Sequence, residues 1–292
     1  MATVSVGGLT WHNSGATSDE AGIRWIFTDI DGWHDGPPTK GTNTDRPQAH
    51  GSFAERVWRA GRLVTLTGYV EAPTRALASG AQFALAALLA EGTFDELAVD
   101  DSDQGVMTSR VRLEGQPLID WTGDTYITCQ FGFFAPDPLR YGPRIPAPTG
   151  FPVAVGGLRW PLYSDGAGVN VGALDYGPAS TTGRLLLANP GTAAATIQHE
   201  VVGPVDAAGF EIIQINGPGR LVYEGPVPAG SSLLLDGATG AVLMDGYADR
   251  GDVLTTRVWP VAARGGSVEL FFRPRGSTSA ATLTSSLAPA YW

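Results

Sequence analysis

Ala135-Pro136-Asp137-Pro138-Leu139-Arg140-Tyr141-Gly142-Pro143-Arg144-Ile145-Pro146-Ala147-Pro148-Thr149-Gly150-Phe151-Pro152 carries six prolines and two glycines in eighteen residues. Proline lacks an amide hydrogen and fixes its own φ, so such a run is expected to continue neither a sheet nor a helix. It predicts a boundary. The chain of 292 residues suits two domains of about 150 each. The expected division is 1–145 and 146–292.

On the C-terminal side, short segments rich in β-branched and aliphatic residues recur about every ten residues, with Gly or Pro turns between them. They are Gly183 to Ala188, Thr196 to Val202, Glu211 to Ile215, Gly219 to Tyr223, Ser232 to Leu235, Ala241 to Met244, Asp252 to Val258 and Ser267 to Phe272. That rhythm predicts an antiparallel sandwich or jelly roll. On the N-terminal side, Arg24 to Ile30, Arg62 to Val70, Val106 to Leu113 and Tyr126 to Phe134 predict strands. One segment differs. From Thr74 to Glu91, Leu77, Ala81, Ala84, Leu85 and Leu88 recur at helical spacing and Gly92 follows as a stop. The fold class is therefore mainly β: a β-sandwich-like first domain with one helix (α+β), then an antiparallel β-sandwich.

Composition agrees. Apolar residues make up 43% and charged residues only 16%, against roughly 25% in an average globular protein. The 39 glycines and 21 prolines leave little room for long helices. Net charge is -10, and residues 1–150 hold 18 acids against 11 bases. No basic surface for gripping phosphate is expected. The N-terminus lacks the basic and apolar regions of a signal peptide, and the longest apolar run, Phe83 to Ala90, is too short to span a bilayer. A soluble protein made in a cytoplasm, without membrane insertion, is the expectation.

Catalytic constellations are hard to assemble. His199-Glu200 begins a zinc motif, but Gly203 stands where the second histidine is required. Cys129 is a lone cysteine in the apolar run Tyr126 to Phe131, where a small buried side chain is expected. Asp29 to Asp35 departs from a calcium loop at its fifth position, Trp33, and at its twelfth, Lys40, so a turn between strands is expected. Asp95, Glu96, Asp100, Asp101 and Asp103 read either as a solvated turn or as a cation site. Among eight tryptophans, Trp25, Trp121 and Trp259 lie in strand-like segments and are expected to be buried, whereas Trp33, Trp160 and Trp292 are candidates for sugar contact. No catalytic group, cofactor or metal site is expected. In Val106 to Glu114, Thr108, Arg110, Arg112 and Glu114 share one face, which suits either a channel wall or an ordinary solvent-facing strand. Val6-Gly7-Gly8-Leu9-Thr10-Trp11 is echoed by Val155-Gly156-Gly157-Leu158-Arg159-Trp160, as coincidence or as two similar lead-in strands.

The order of several features resembles the distal tail proteins of long-tailed siphophages, in particular those infecting actinobacteria. Trp25 to Trp33 is followed by Pro37-Pro38 and His50-Gly51, then by the strand from Arg62, the Ala/Leu-rich helix and the Trp121 strand pair. The exit Ala135-Pro136-Asp137-Pro138-Leu139-Arg140-Tyr141 has the family's Ala-x-Asp-Pro-x-x-Tyr form, and Leu187 to Ala193, Val202-Gly203-Pro204, Val258-Trp259-Pro260 and Trp292 extend the likeness across nearly the whole chain. The resemblance implies a hexameric ring at the distal end of the virion tail. Its first domain would form the ring and channel wall, with a galectin-like sandwich facing outward. The implied partners are further copies of the chain, the tail tube protein, the tail-associated hub or tip protein and the tape measure protein, with DNA only in passage. The alternative is a tail-tip adhesin for host cell-wall carbohydrate.

Overall fold

The computed structural model describes residues 2–14, 17–153, 181–276 and 280–292. The chain divides into two compact units, Met1–Pro143 with Tyr291–Trp292, and Arg144–Ala290.

The first unit begins with β1 (Thr3–Val6) and β2 (Leu9–His12), joined by a hairpin. Gly7 and Gly8 both take positive φ at its tip, the conformation that a two-residue hairpin matching strand twist requires. Then come β3 (Arg24–Asp31), four two-residue strands β4 (Thr39–Lys40), β5 (Thr44–Asp45), β6 (Ser52–Phe53) and β7 (Trp58–Arg59), and the long β8 (Arg62–Glu71). Helix α1 (Arg75–Ala87) precedes β9 (Asp95–Asp101), β10 (Gly105–Leu113), β11 (Leu118–Trp121), β12 (Tyr126–Ala135) and β13 (Arg140–Tyr141). The main sheet runs β11-β12-β8-β3-β2-β1-β9-β10-β13. It closes on itself where Arg112 and Leu113 of β10 pair with Phe134 and Phe133 of β12.

Alternation explains the closure. On β8, Arg62, Val64, Leu66, Gly68 and Val70 are buried while the residues between them are exposed or half-buried, and β12 buries Ile127, Cys129, Phe131 and Phe133 in the same rhythm. Trp11 sits at the centre, edge-on to Trp25 with ring centroids 6.1 Å apart and 6.3 Å from Phe131. Helix α1 lays Ala78, Ala81 and Leu85 onto this core. Thr74 caps its first turn by accepting a hydrogen bond from the Leu77 amide. The helix stops at Ala87, short of Glu91, because Leu88 leaves helical backbone with a ψ of 114° and Leu89 takes a φ of 48°.

The second unit is built from β14 (Ile145–Gly150), β15 (Arg184–Ala188), β16 (Ala195–Val202), β17 (Phe210–Gln214), β18 (Arg220–Tyr223), β19 (Ser232–Asp236), β20 (Val242–Met244), β21 (Ala248–Asp249), β22 (Leu254–Val258), β23 (Val261–Ala262), β24 (Ser267–Pro274) and β25 (Thr282–Leu287). One sheet runs β14-β25-β16-β19-β20-β21, with β23 also on β16; the other runs β15-β24-β17-β18-β22. Every pairing between these strands is antiparallel. The buried faces bring Ile197, Val201, Leu233, Leu235, Leu283 and Leu287 from the first sheet against Leu187, Ile212, Leu270 and Phe272 from the second.

The proline run does not end regular structure as its composition suggests. Ile145 to Gly150 forms β14, with Pro146 opposite Ser286 and Pro148 opposite Thr284. β14 lies at the edge of its sheet, the one place where a strand tolerates missing amide donors. A last strand, β26 (Ala290–Tyr291), follows β13 at the end of the first unit's sheet.

Candidate assembly surface

Between β3 and β8 the chain leaves the first unit's core as an arm. Two short ladders hold it: Thr39 and Lys40 pair with Arg59 and Trp58, and Thr44 and Asp45 with Phe53 and Ser52. Every residue from Pro38 to Arg59 is exposed. Phe53 and Trp58 are each 57% exposed, and Val57 stands beside them. Arg46 lies over the Phe53 ring at 5.1 Å and Arg56 over the Trp58 ring at 4.3 Å. An excursion with three large apolar side chains and no core of its own has the character of a binding element.

The root of the arm is rigid. Gly32 turns the chain out of β3 with a φ of +76°, and a side chain there would meet the Leu63 carbonyl oxygen at 2.2 Å. The Arg62 side chain points into the unit and is 1% exposed. Its Nη1 donates to the carbonyl oxygens of Gly32, Trp33 and Asp35, and its Nε donates to that of Pro138. Burial, and then the nearby Arg140 charge, lower its pKa. Arg140 Nη2 donates to the Trp292 carbonyl at 2.9 Å, while Arg62 Nη2 and Arg140 Nε and Nη1 are buried without a partner among the described residues.

The Ala-x-Asp-Pro-x-x-Tyr segment completes this root. Asp137 accepts from the Leu139 amide at 3.1 Å and from the Tyr141 hydroxyl at 2.6 Å. Burial and then that carboxylate hold the Tyr141 phenol well above its usual range. Ser109 of β10 donates to the Leu139 carbonyl, and Thr108 pairs with Tyr141.

Thr108, Arg110, Arg112 and Glu114 lie on the outward side of β10 and its continuation, with Ser109 and Val111 buried on the other. Arg110 lies over the Phe94 ring at 5.0 Å, and Arg112 over Phe134 at 5.5 Å while donating to Glu114 at 3.0 Å. Of the three tryptophans read as sugar contacts, Trp33 is a correction: it is 1% exposed and packed within the core, with Arg140 over its ring at 5.8 Å, so its face is not open to a ligand. Trp160 lies outside the described residues, as does the second copy of the Val-Gly-Gly-Leu echo. Trp292 is 44% exposed.

The acidic cluster is not a turn throughout: Asp95 to Asp101 form β9, with Glu96 opposite Arg110. Among the described residues no group of three or more histidine, cysteine or carboxylate side chains is placed to hold a metal. Cys129 is buried, and burial pushes its thiol up to about 12. His199 is buried in β16, with Nδ1 2.8 Å from Ser285 Oγ, and burial pulls its pKa down to about 3. Sequence reading missed the arm. Its one signal is negative: from Gly36 to Gly51 no apolar alternation of any period occurs.

No protein-family model matches the chain, and no curated protein matches its sequence. Its fold is that of phage tail hub and baseplate proteins. Among solved structures, the Dit protein of phage SPP1, described as a paradigm of the hub adsorption apparatus in phages infecting Gram-positive hosts, superposes with a TM-score of 0.62 at 14% identity over 98% of each chain. A chain of the phage P2 baseplate in its activated conformation with calcium gives 0.55 at 7% identity over 98% of each. Its counterpart with strontium gives 0.52 at 8% over 97% of each.

Proposed function

We propose that this chain is a non-enzymatic structural protein of the distal end of a long, non-contractile phage tail. Six copies form a ring through the first unit, between the tail tube protein and the hub or tip protein, with the tape measure protein a further contact. The observation that carries this reading is that the likeness to tail hub and baseplate chains runs through both units, over 97–98% of each chain. The exposed arm gives it physical content, since Phe53, Val57 and Trp58 need cover that one copy does not supply. Ring closure by a heterologous contact offers that cover six times over.

The outward face of β10 lines the channel in this reading. Its arginines are held by aromatic rings and by Glu114, and the chain carries a net charge of -10, so passing DNA is not gripped. The state of Cys129 and of His199 supports the non-enzymatic part of this reading. A thiol near 12 is not a nucleophile at neutral pH, and a fully buried histidine is no general base for a substrate in solvent.

Gold-labelled antibody against the purified chain, applied to intact virions, tests the location. Labelling confined to the tail end away from the head is expected. Labelling along the tail shaft or on the head would overturn it.

A further inference from the structure

We propose that the outer face of the larger sheet in Arg144–Ala290 is a binding site for an uncharged pyranose glycan. A groove of about 380 Å³ crosses that face, lined by Gln198, Glu200, Ser232, Leu234, Asp245, Gly246, Thr284 and Ser286. That size lies within the range of small-ligand sites, roughly 300–1,000 Å³.

The register builds the site. Gln198 of β16 stands opposite Ser286 of β25, and Glu200 opposite Thr284, so the four make a two-by-two array on adjacent strands. Side chains on one face of neighbouring strands stand about 5 Å apart, and those two residues along a strand about 7 Å. The side chains of all four make no hydrogen bond or ion pair with any described residue. On the other side of Glu200 lies Leu234, an apolar floor. The array is backed by a rigid layer, because the intervening residues His199 and Ser285 are buried and joined at 2.8 Å.

The far wall is the turn between β20 and β21. Asp245 and Gly246 take φ of 52° and 80°, and Asp245 Oδ1 accepts from the Ser232 amide at 2.9 Å. This fixed turn carries Tyr247 into solvent, 81% exposed and next to a groove-lining residue. An exposed aromatic side chain one residue from the lining, with free amide, hydroxyl and carboxylate groups along the groove, offers both kinds of surface that a pyranose needs, for its apolar C–H face and for its rim of hydroxyls.

Charge narrows the class. Glu200 and Asp245 are the charged residues lining the groove, and no arginine or lysine joins them. Phosphate-bearing or uronic polymers would meet repulsion, whereas neutral hydroxyls donate well to carboxylates. The large exposed apolar side chains expected of a protein-binding centre are missing from the lining.

Saturation-transfer NMR on the full chain tests the site, with neutral tetrasaccharides of glucose, galactose, mannose and rhamnose as probes and poly(glycerol phosphate) as the anionic comparison. Transfer to at least one neutral probe and none to the phosphate polymer is expected. The Gln198→Ala/Glu200→Ala double variant, altered only on the outer face, should abolish transfer, and Tyr247→Ala should weaken binding about tenfold with an unchanged melting temperature. Silence toward all four neutral probes, preference for the phosphate polymer, or equal transfer in the variants would overturn the proposal. The site lies within the second unit and does not rest on ring formation. Light scattering on the same samples keeps the two readings apart: a monomer that binds sugar leaves this one standing, and a ring that does not bind removes it.

Discussion

The guanidinium of Arg62 donates to the carbonyl oxygen of Trp33 at 3.0 Å, joining the first residue of β8 to the turn where the arm departs, 29 positions earlier. The same side chain reaches the carbonyls of Gly32, Asp35 and Pro138. Arg62→Ala would leave up to four carbonyl oxygens short of a donor and open a cavity beneath the arm. A loss of about 3 kcal/mol or more from the first unit is expected, read from its denaturation midpoint. Proteolysis of residues 36–60 should accelerate alongside. Unchanged stability would mean that water replaces the guanidinium and that the root is not a clamp.

The arm itself should behave differently. Phe53 and Trp58 touch solvent in a single chain, so replacing both by serine should alter the stability of that chain by no more than about 0.5 kcal/mol. Their cost should appear in assembly. Light scattering on the double variant should give the 30.5 kDa of one chain at concentrations where the natural sequence forms larger particles.

Tyr291 and Trp292 belong with the first unit although nearly 150 residues separate them from the rest of it. Arg140 is half of a buried arginine pair, and its Nη2 donates to the Trp292 carbonyl. Removing the two residues should cost the first unit about 2–3 kcal/mol by leaving a buried guanidinium without that acceptor. Calorimetry should then show the first unit's transition shifted down and the second unit's unchanged. Equal shifts of both, or of neither, would speak against the assignment.

Much of this architecture is legible in the residues. Eight strands of the second unit are foreshadowed within a residue or two, and in those such as β15 and β16 the cause is alternate burial of aliphatic side chains, as with Leu185 and Leu187 on β15. β25 escapes notice because Thr282-Leu283-Thr284-Ser285-Ser286-Leu287 sets a serine in the core, where the cross-strand partner His199 satisfies it. β14 is hidden by prolines that an edge position forgives. The arm leaves no periodic trace, since nothing in one copy buries it. Trp33 misleads for a related reason: it is buried in the core with Arg140 over its ring, a residue that sequence spacing does not connect to it. The polar array on β16 and β25 needed the register of two strands more than eighty residues apart.

His199 gives the second unit an acid sensitivity. Its pKa is depressed in the folded chain to about 3, against about 6.5 when unfolded. Above pH 6.5 both states are neutral and the group contributes no pH dependence. Between 6.5 and about 3 only the unfolded chain binds the proton, so stability falls as pH falls. At pH 5 the loss should be about 2 kcal/mol relative to pH 7. The His199→Gln variant, which retains a polar partner for Ser285, should show a flatter profile across that window. Identical profiles for the two proteins would place the proton elsewhere.

The central claim, a ring of six copies closed through the first unit, is tested most directly by negative-stain electron microscopy of the purified full chain. The account predicts closed particles with six-fold symmetry and an open centre, persisting on dilution. Isolated particles the size of one or two chains at every concentration would contradict it.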